Sequence, residues 1–192
     1  MRSFSQIFIA LSLLAAGALA CFGQAEDGVH GHVFRNNALG LTYSFPEQFS
    51  PKVESEISPQ DPSGREHIIL ALWDTPDRVG TPRMSFLYDR KMRAAGLSRQ
   101  QMADNYLAAV KGLWVNVNGV KISVPSKISS AGYAIWRIDL FQPDQLPHYN
   151  AAVVIPLADR RILSIQINAP SQAELDSEVD SLRDLRFDKN LD

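Results

Sequence analysis

The sequence predicts an α+β domain: an antiparallel β-sheet of about six or seven strands covered by helices. Three observations carry that expectation. Short apolar or alternating runs recur between turn residues. Two segments carry a helical apolar stripe behind a serine with capping spacing. Most runs are joined by short connections, which makes neighbouring strands antiparallel.

Taken in order, Leu41-Thr42-Tyr43-Ser44-Phe45 alternates and stops at Pro46. His67 to Trp73 is apolar on both faces from Ile68 onward, the mark of a strand covered on both sides. Arg83 to Tyr88 sets Met84, Phe86 and Tyr88 against Ser85 and Leu87. Ser98 with Gln101 opens the first helix, whose stripe is Met102, Tyr106, Ala109, Val110 and Leu113. Asn118-Gly119, between Val115/Val117 and Val120/Ile122, predicts a small hairpin. Lys121 to Val124 is a short strand and Tyr133 to Phe141 a long one. The long strand places Arg137 and Asp139 on one face with Tyr133, Ile135 and Phe141. Tyr149 to Ile155 and Arg161 to Ile167 read as a hairpin around Pro156–Arg160. Pro170 ends it, and Ser171 with Glu174 opens a second, acidic helix whose stripe runs Leu175, Val179, Leu182 and on to Leu185 and Phe187. Both helices need an apolar surface and the central strands offer one on each face, so the helices are expected to cover the sheet.

Composition narrows the function classes. The 192 residues include 19 Lys plus Arg and 21 Asp plus Glu, for a net charge of −2. That balance excludes a dedicated nucleic-acid binder. Arg78, Arg83, Arg90, Lys91, Arg93 and Arg99 are locally basic, but Asp74, Asp77 and Asp89 dilute them. A hydrophobic content of 45% excludes a disordered chain, and the single cysteine excludes an intramolecular disulfide framework.

The N-terminus reads as an address. Arg2 precedes the apolar run Ile7 to Ala16, and Ala18-Leu19-Ala20 supplies a small-x-small pattern, so residues 1–20 are expected to be an export signal. The cut falls between residues 20 and 25. A cut after Ala20 leaves Cys21 first, which makes it a candidate for bacterial lipidation, although Ala18 and Leu19 match that motif only in part. Residues 21–36 are expected to form a flexible leader and 37–188 a single globular domain. The expected location is the bacterial periplasm or the extracellular space, with membrane attachment only through Cys21. A monomer is expected.

The order of elements resembles a known family. Leu39-Gly40-Leu41-Thr42-Tyr43-Ser44-Phe45-Pro46-Glu47-Gln48-Phe49 resembles the opening of PsbP-like domains, where an aromatic strand runs into Pro and then another aromatic. Phe49 stands where Trp is commoner. The apolar-rich ending Leu175 to Phe187 is similar to the close of those domains, so the resemblance spans roughly residues 37–187. It implies an α/β/α sandwich around an antiparallel sheet. Known members are mostly non-enzymatic: a photosystem accessory subunit, a small GTPase-binding import factor, and bacterial exported proteins and lipoproteins. None of their binding residues finds a matching motif here.

The remaining chemistry is sparse. There is no nucleophile elbow, P-loop, dinucleotide glycine fingerprint or HExxH, and no cofactor is expected. His67 or His148 would have to serve as base in a small periplasmic hydrolase, the alternative reading. His30 and His32 are the one close histidine pair and so the metal candidates, with Asp27 or Glu26 beside them. Trp73, Trp114 and Trp136 read as core or core rim, Trp114 as the most exposed. The expected function is that of an exported, non-catalytic binding or accessory domain acting through a protein partner or a small ligand in the cell envelope.

Overall fold

The computed structural model describes residues 26–53, 66–89, 96–130, 133–144 and 146–188. The expected export signal and cleavage region, with Cys21, lie outside the described residues, as do Arg90, Lys91 and Arg93. Among the described residues, twelve strands and two helices follow one another: β1 (Gly28–His30), β2 (Val33–Asn36), β3 (Leu41–Ser44), β4 (Ser50–Val53), β5 (Glu66–Trp73), β6 (Met84–Asp89), α1 (Arg99–Trp114), β7 (Lys121–Ile122), β8 (Ser126–Ser130), β9 (Tyr133–Phe141), β10 (Tyr149–Pro156), β11 (Ile162–Ala169), α2 (Gln172–Ser181), a 3-10 turn (Leu182–Asp184) and β12 (Leu185–Phe187).

The fold is α+β, with antiparallel sheets covered by helices. The large sheet has eight strands in the order β4-β5-β6-β11-β10-β9-β7, with β8 also paired to β9. A second sheet, β1-β2-β3-β12, has four. β5 carries a bulge: Ile68 faces Leu87 and Leu70 faces Phe86, so Ile69 is the extra residue. The bulge lets Ile69 and Leu70 both enter the same core.

Each face of the large sheet is buried against a different layer. On one face Met84, Phe86, Val153, Leu163 and Ile165 pack under the small sheet (Phe34, Leu41, Tyr43, Leu185) and α2 (Leu175, Val179). On the other, Trp136, Ile138, Ala152, Val154 and Ile162 pack under Met102, Ala103 and Leu107 of α1. Each fully buried large apolar side chain contributes about 1.5–3 kcal/mol of transfer free energy, so this double burial is what makes β9, β10 and β11 the centre of the molecule.

Local signals and structure agree at the helix starts. Ser98 accepts from the Gln101 amide while the Gln101 side chain returns to the Ser98 amide, a complete capping box. Ser171 caps α2 by accepting from the Glu174 amide.

Three expectations are corrected. Residues 28–36, placed in a flexible leader, form the β1–β2 hairpin, because Val29 and Phe34 reach the core and β3 offers β2 a partner. Asn118-Gly119 does not join two paired strands. The Val120 amide bonds the Val117 carbonyl in a turn with Gly119 at φ +77°, and the turn carries the chain from α1 to β7, which pairs with β9. The second helix stops at Ser181. Leu185 and Phe187, read as its continuation, belong to β12, which pairs with β3.

Candidate functional site

β11 alternates Leu163, Ile165 and Ile167 with Ser164, Gln166 and Asn168. The first set enters the core under the small sheet and α2, which sends the polar set to the α1 face. Asn150 of β10 stands directly opposite Asn168, Ala152 opposite Gln166, and Ser85 of β6 opposite Gln166 on its other side. A patch of carboxamides and hydroxyls therefore interrupts a face that is otherwise apolar.

α1 covers this patch only in part: Ser85 and Ser164 are buried, Asn150 and Asn168 are half-buried, and Gln166 is exposed. Its stripe buries Met102, Ala103 and Leu107, but Tyr106 and Val110 are only half-buried and Leu113 is 76% exposed. The end of the stripe overhangs a cleft of about 440 Å³. Ser164, Gln166, Asn168 and Asn150 form its floor; Tyr106, Val110, Leu113 and Trp114 line the helix side. Gln142, Leu146 and Pro147, between β9 and β10, close the third side, and Leu146 is 81% exposed. No charged side chain lines the cleft among the described residues. Asn168 donates its Nδ2 to the Pro82 carbonyl at 2.8 Å and Asn150 reaches the Pro147 carbonyl at 3.5 Å. Such a lining offers hydrogen-bonding groups on one side and apolar surface on the other.

A second polar constellation lies on the opposite face, under α2. Arg83, just before β6, pairs with Glu178 and Glu174 of α2 and reaches Asp74 at 3.4 Å. Glu178 is only 7% exposed, and its Oε2 has no partner among the described residues. Burial pushes the Glu178 carboxyl up to about 7, with Arg83 pulling the other way. Arg137 bonds Asp139 and Asp176, both at 2.6 Å, and so ties β9 to the same helix. Arg83 and Arg137 are thus spent holding an acidic helix to the sheet.

The histidines are dispersed. His67 is level with Tyr88, Leu163 and Ile155, while His148 precedes β10 at its other end. Seven residues along the strand separate those levels, about 20 Å or more, so the two do not share a site. His148 donates Nδ1–H to the Gln142 carbonyl at 3.1 Å. His30 donates Nε2–H to the Glu26 carbonyl at 3.0 Å. His32 stands edge-on to Phe45, with ring centroids 5.7 Å apart. His30 ends β1 and His32 lies in the two-residue turn that leads to β2, so the pair is not on one extended strand. Among the described residues no group of three or more His, Cys, Asp or Glu is placed to hold a metal ion. Trp73 and Trp136 are buried, and their indole N–H groups donate to the Gly80 carbonyl and the Gln100 side chain. Only Trp114 reaches the cleft.

The cleft residues were missed in the sequence, although a signal was present. Ser164, Gln166 and Asn168 alternate within a strand whose neighbours are apolar on both faces, and polar side chains in that setting need a reason.

Comparison with known proteins bears on the fold. No protein-family model matches the chain, and no curated protein matches it by sequence. Among solved structures, the chain is similar to cyanobacterial PsbP (CyanoP) from Synechocystis sp. PCC 6803, with a TM-score of 0.51 and 9% identity over 86% of this chain and 98% of that one. The fold is PsbP-like. No helix among the described residues is long and apolar enough to cross a membrane.

Proposed function

We propose that this chain is an exported, non-catalytic binding or accessory domain of the cell envelope, and that it meets its protein partner or small ligand in the cleft between α1 and the carboxamide patch of the large sheet. One observation carries the reading: an exposed apolar rim, Leu113 and Leu146, stands over an uncharged polar floor. Exposed large apolar side chains grouped around a concavity mark interaction sites more often than isolated ones do. Export rests on the residue pattern of 1–20.

The test is crosslinking of the tagged chain, exported by its own signal in its own cells, against a Leu113→Asp/Leu146→Asp variant. Both positions are exposed, so the variant should fold. A partner or ligand recovered in near-stoichiometric amount with the wild type and at least tenfold less with the variant supports the reading. Equal recovery with both overturns the cleft as the site.

A further inference from the structure

We infer that the cleft takes a neutral saccharide of one or two rings; the inference rests on the reading of the cleft as the binding site. The lining chemistry selects the ligand by elimination. An ion would lose its hydration shell in a site with no charged side chain to replace it. A hydrocarbon would bury Gln166, Asn168 and Asn150 without answering their donors and acceptors. The occupant must therefore be neutral, must donate and accept at one edge, and must present an apolar surface at another.

Peptides meet that description in general but not in this topology. Strand addition needs an unpaired edge, and β10 and β11 are interior strands, each paired on both sides. A docked amphipathic helix needs a continuous apolar floor, and here Asn150, Gln166 and Asn168 break up the apolar surface of Leu140 and Ala152. The carboxamides form a patch across two strands, with Asn150 opposite Asn168 and Gln166 one pair further on, rather than a line along one. A pyranose ring fits a patch of that kind. Its hydroxyls both donate and accept, as a carboxamide does. Its C–H face is apolar and suits the flank offered by Trp114, Tyr106 and Val110. The volume, about 440 Å³, lies toward the small end of ligand sites, which span about 300–1,000 Å³, and suits one or two rings rather than a long chain.

The test is a glycan array of neutral and acidic saccharides, followed by titration of the best neutral ligand into the chain with Trp fluorescence and NMR readouts. Two variants accompany it: Gln166→Leu, at an exposed side chain, and Trp114→Phe, at the one tryptophan that lines the cleft. The expected result is binding of a neutral saccharide, loss of affinity of tenfold or more in Gln166→Leu, loss of the fluorescence change in Trp114→Phe, and no binding of the acidic counterparts. If no neutral saccharide binds, or if one binds equally well to both variants, the inference is overturned. Should saccharides fail while partner capture still depends on Leu113 and Leu146, the ligand class is wrong and the cleft stands. If both fail, the cleft reading falls with it.

Discussion

Glu178 places one carboxylate oxygen on Arg83 and buries the other without a partner among the described residues. Desolvation raises its pKa from 4.5 to about 7. The folded chain therefore holds a proton between those values that the unfolded chain has already lost, and the stability this confers is full below 4.5 and lost as pH rises through about 7. The expected outcome is a melting temperature that falls, relative to Glu178→Gln, between pH 5 and pH 8; a difference that stays flat or moves the other way contradicts it. Tyr43 is read the same way from its partners. Ser181 Oγ donates to the Glu178 carbonyl, so the Tyr43 hydroxyl, 2.8 Å away, donates to Ser181. Tyr43→Phe removes that bond from a buried site and should cost about 1 kcal/mol in urea unfolding. Neither group was legible in the sequence. Tyr43 read as one more apolar strand position, and Glu178 as one more charge on an acidic helix, because what distinguishes them is a neighbour on another element.

At the scale of elements, α2 is held by two arginines of unequal weight. Arg83 compensates a buried carboxylate, while Arg137 meets Asp139 and Asp176, which are more exposed. At pH 8 Arg83→Met removes the cation that keeps Glu178 ionised and should cost more than the matching change at Arg137, with the excess shrinking as pH falls and Glu178 takes a proton. Arg137→Met should cost about 1 kcal/mol, nearer the value for exposed pairs. Equal losses in chemical denaturation would contradict that ranking. α1 depends on its first turn, and Ser98→Ala should lower stability by about 1 kcal/mol. Both helix starts were legible because a cap is a local signal. β5 and β10 were legible because strands buried on both faces read as apolar runs, and β9 and β11 because their apolar positions recur at a period of two. β4 and β8 were not. β4 is an edge strand with Pro51 in its middle, and β8, Ser126-Lys127-Ile128-Ser129-Ser130, pairs with β9 alone, so neither needs an apolar sequence. β12 was hidden because Leu182 and Leu185 keep helical spacing after the helix has ended.

For the whole molecule, the layering was legible and its asymmetry was not. Apolar side chains on both faces of the central strands called for two covering layers, and two layers are present. One of them is shared between α2 and a second sheet whose first strands read as polar leader. The other, among the described residues, is α1 with Leu97 and Ile122 beside it. It covers Trp136, Ile138, Ala152 and Val154 but leaves Gln166 and Asn168 beside an open cleft. That incomplete cover is the basis of the functional reading, and it follows from tertiary placement that no periodicity in α1 announces. The most direct test is hydrogen exchange of the purified chain, free and in an envelope extract of the cells that make it. The account predicts slowed exchange confined to residues 106–114, 146–152 and 164–168. Protection centred instead on α2 and the small sheet, with the cleft unchanged, would contradict it.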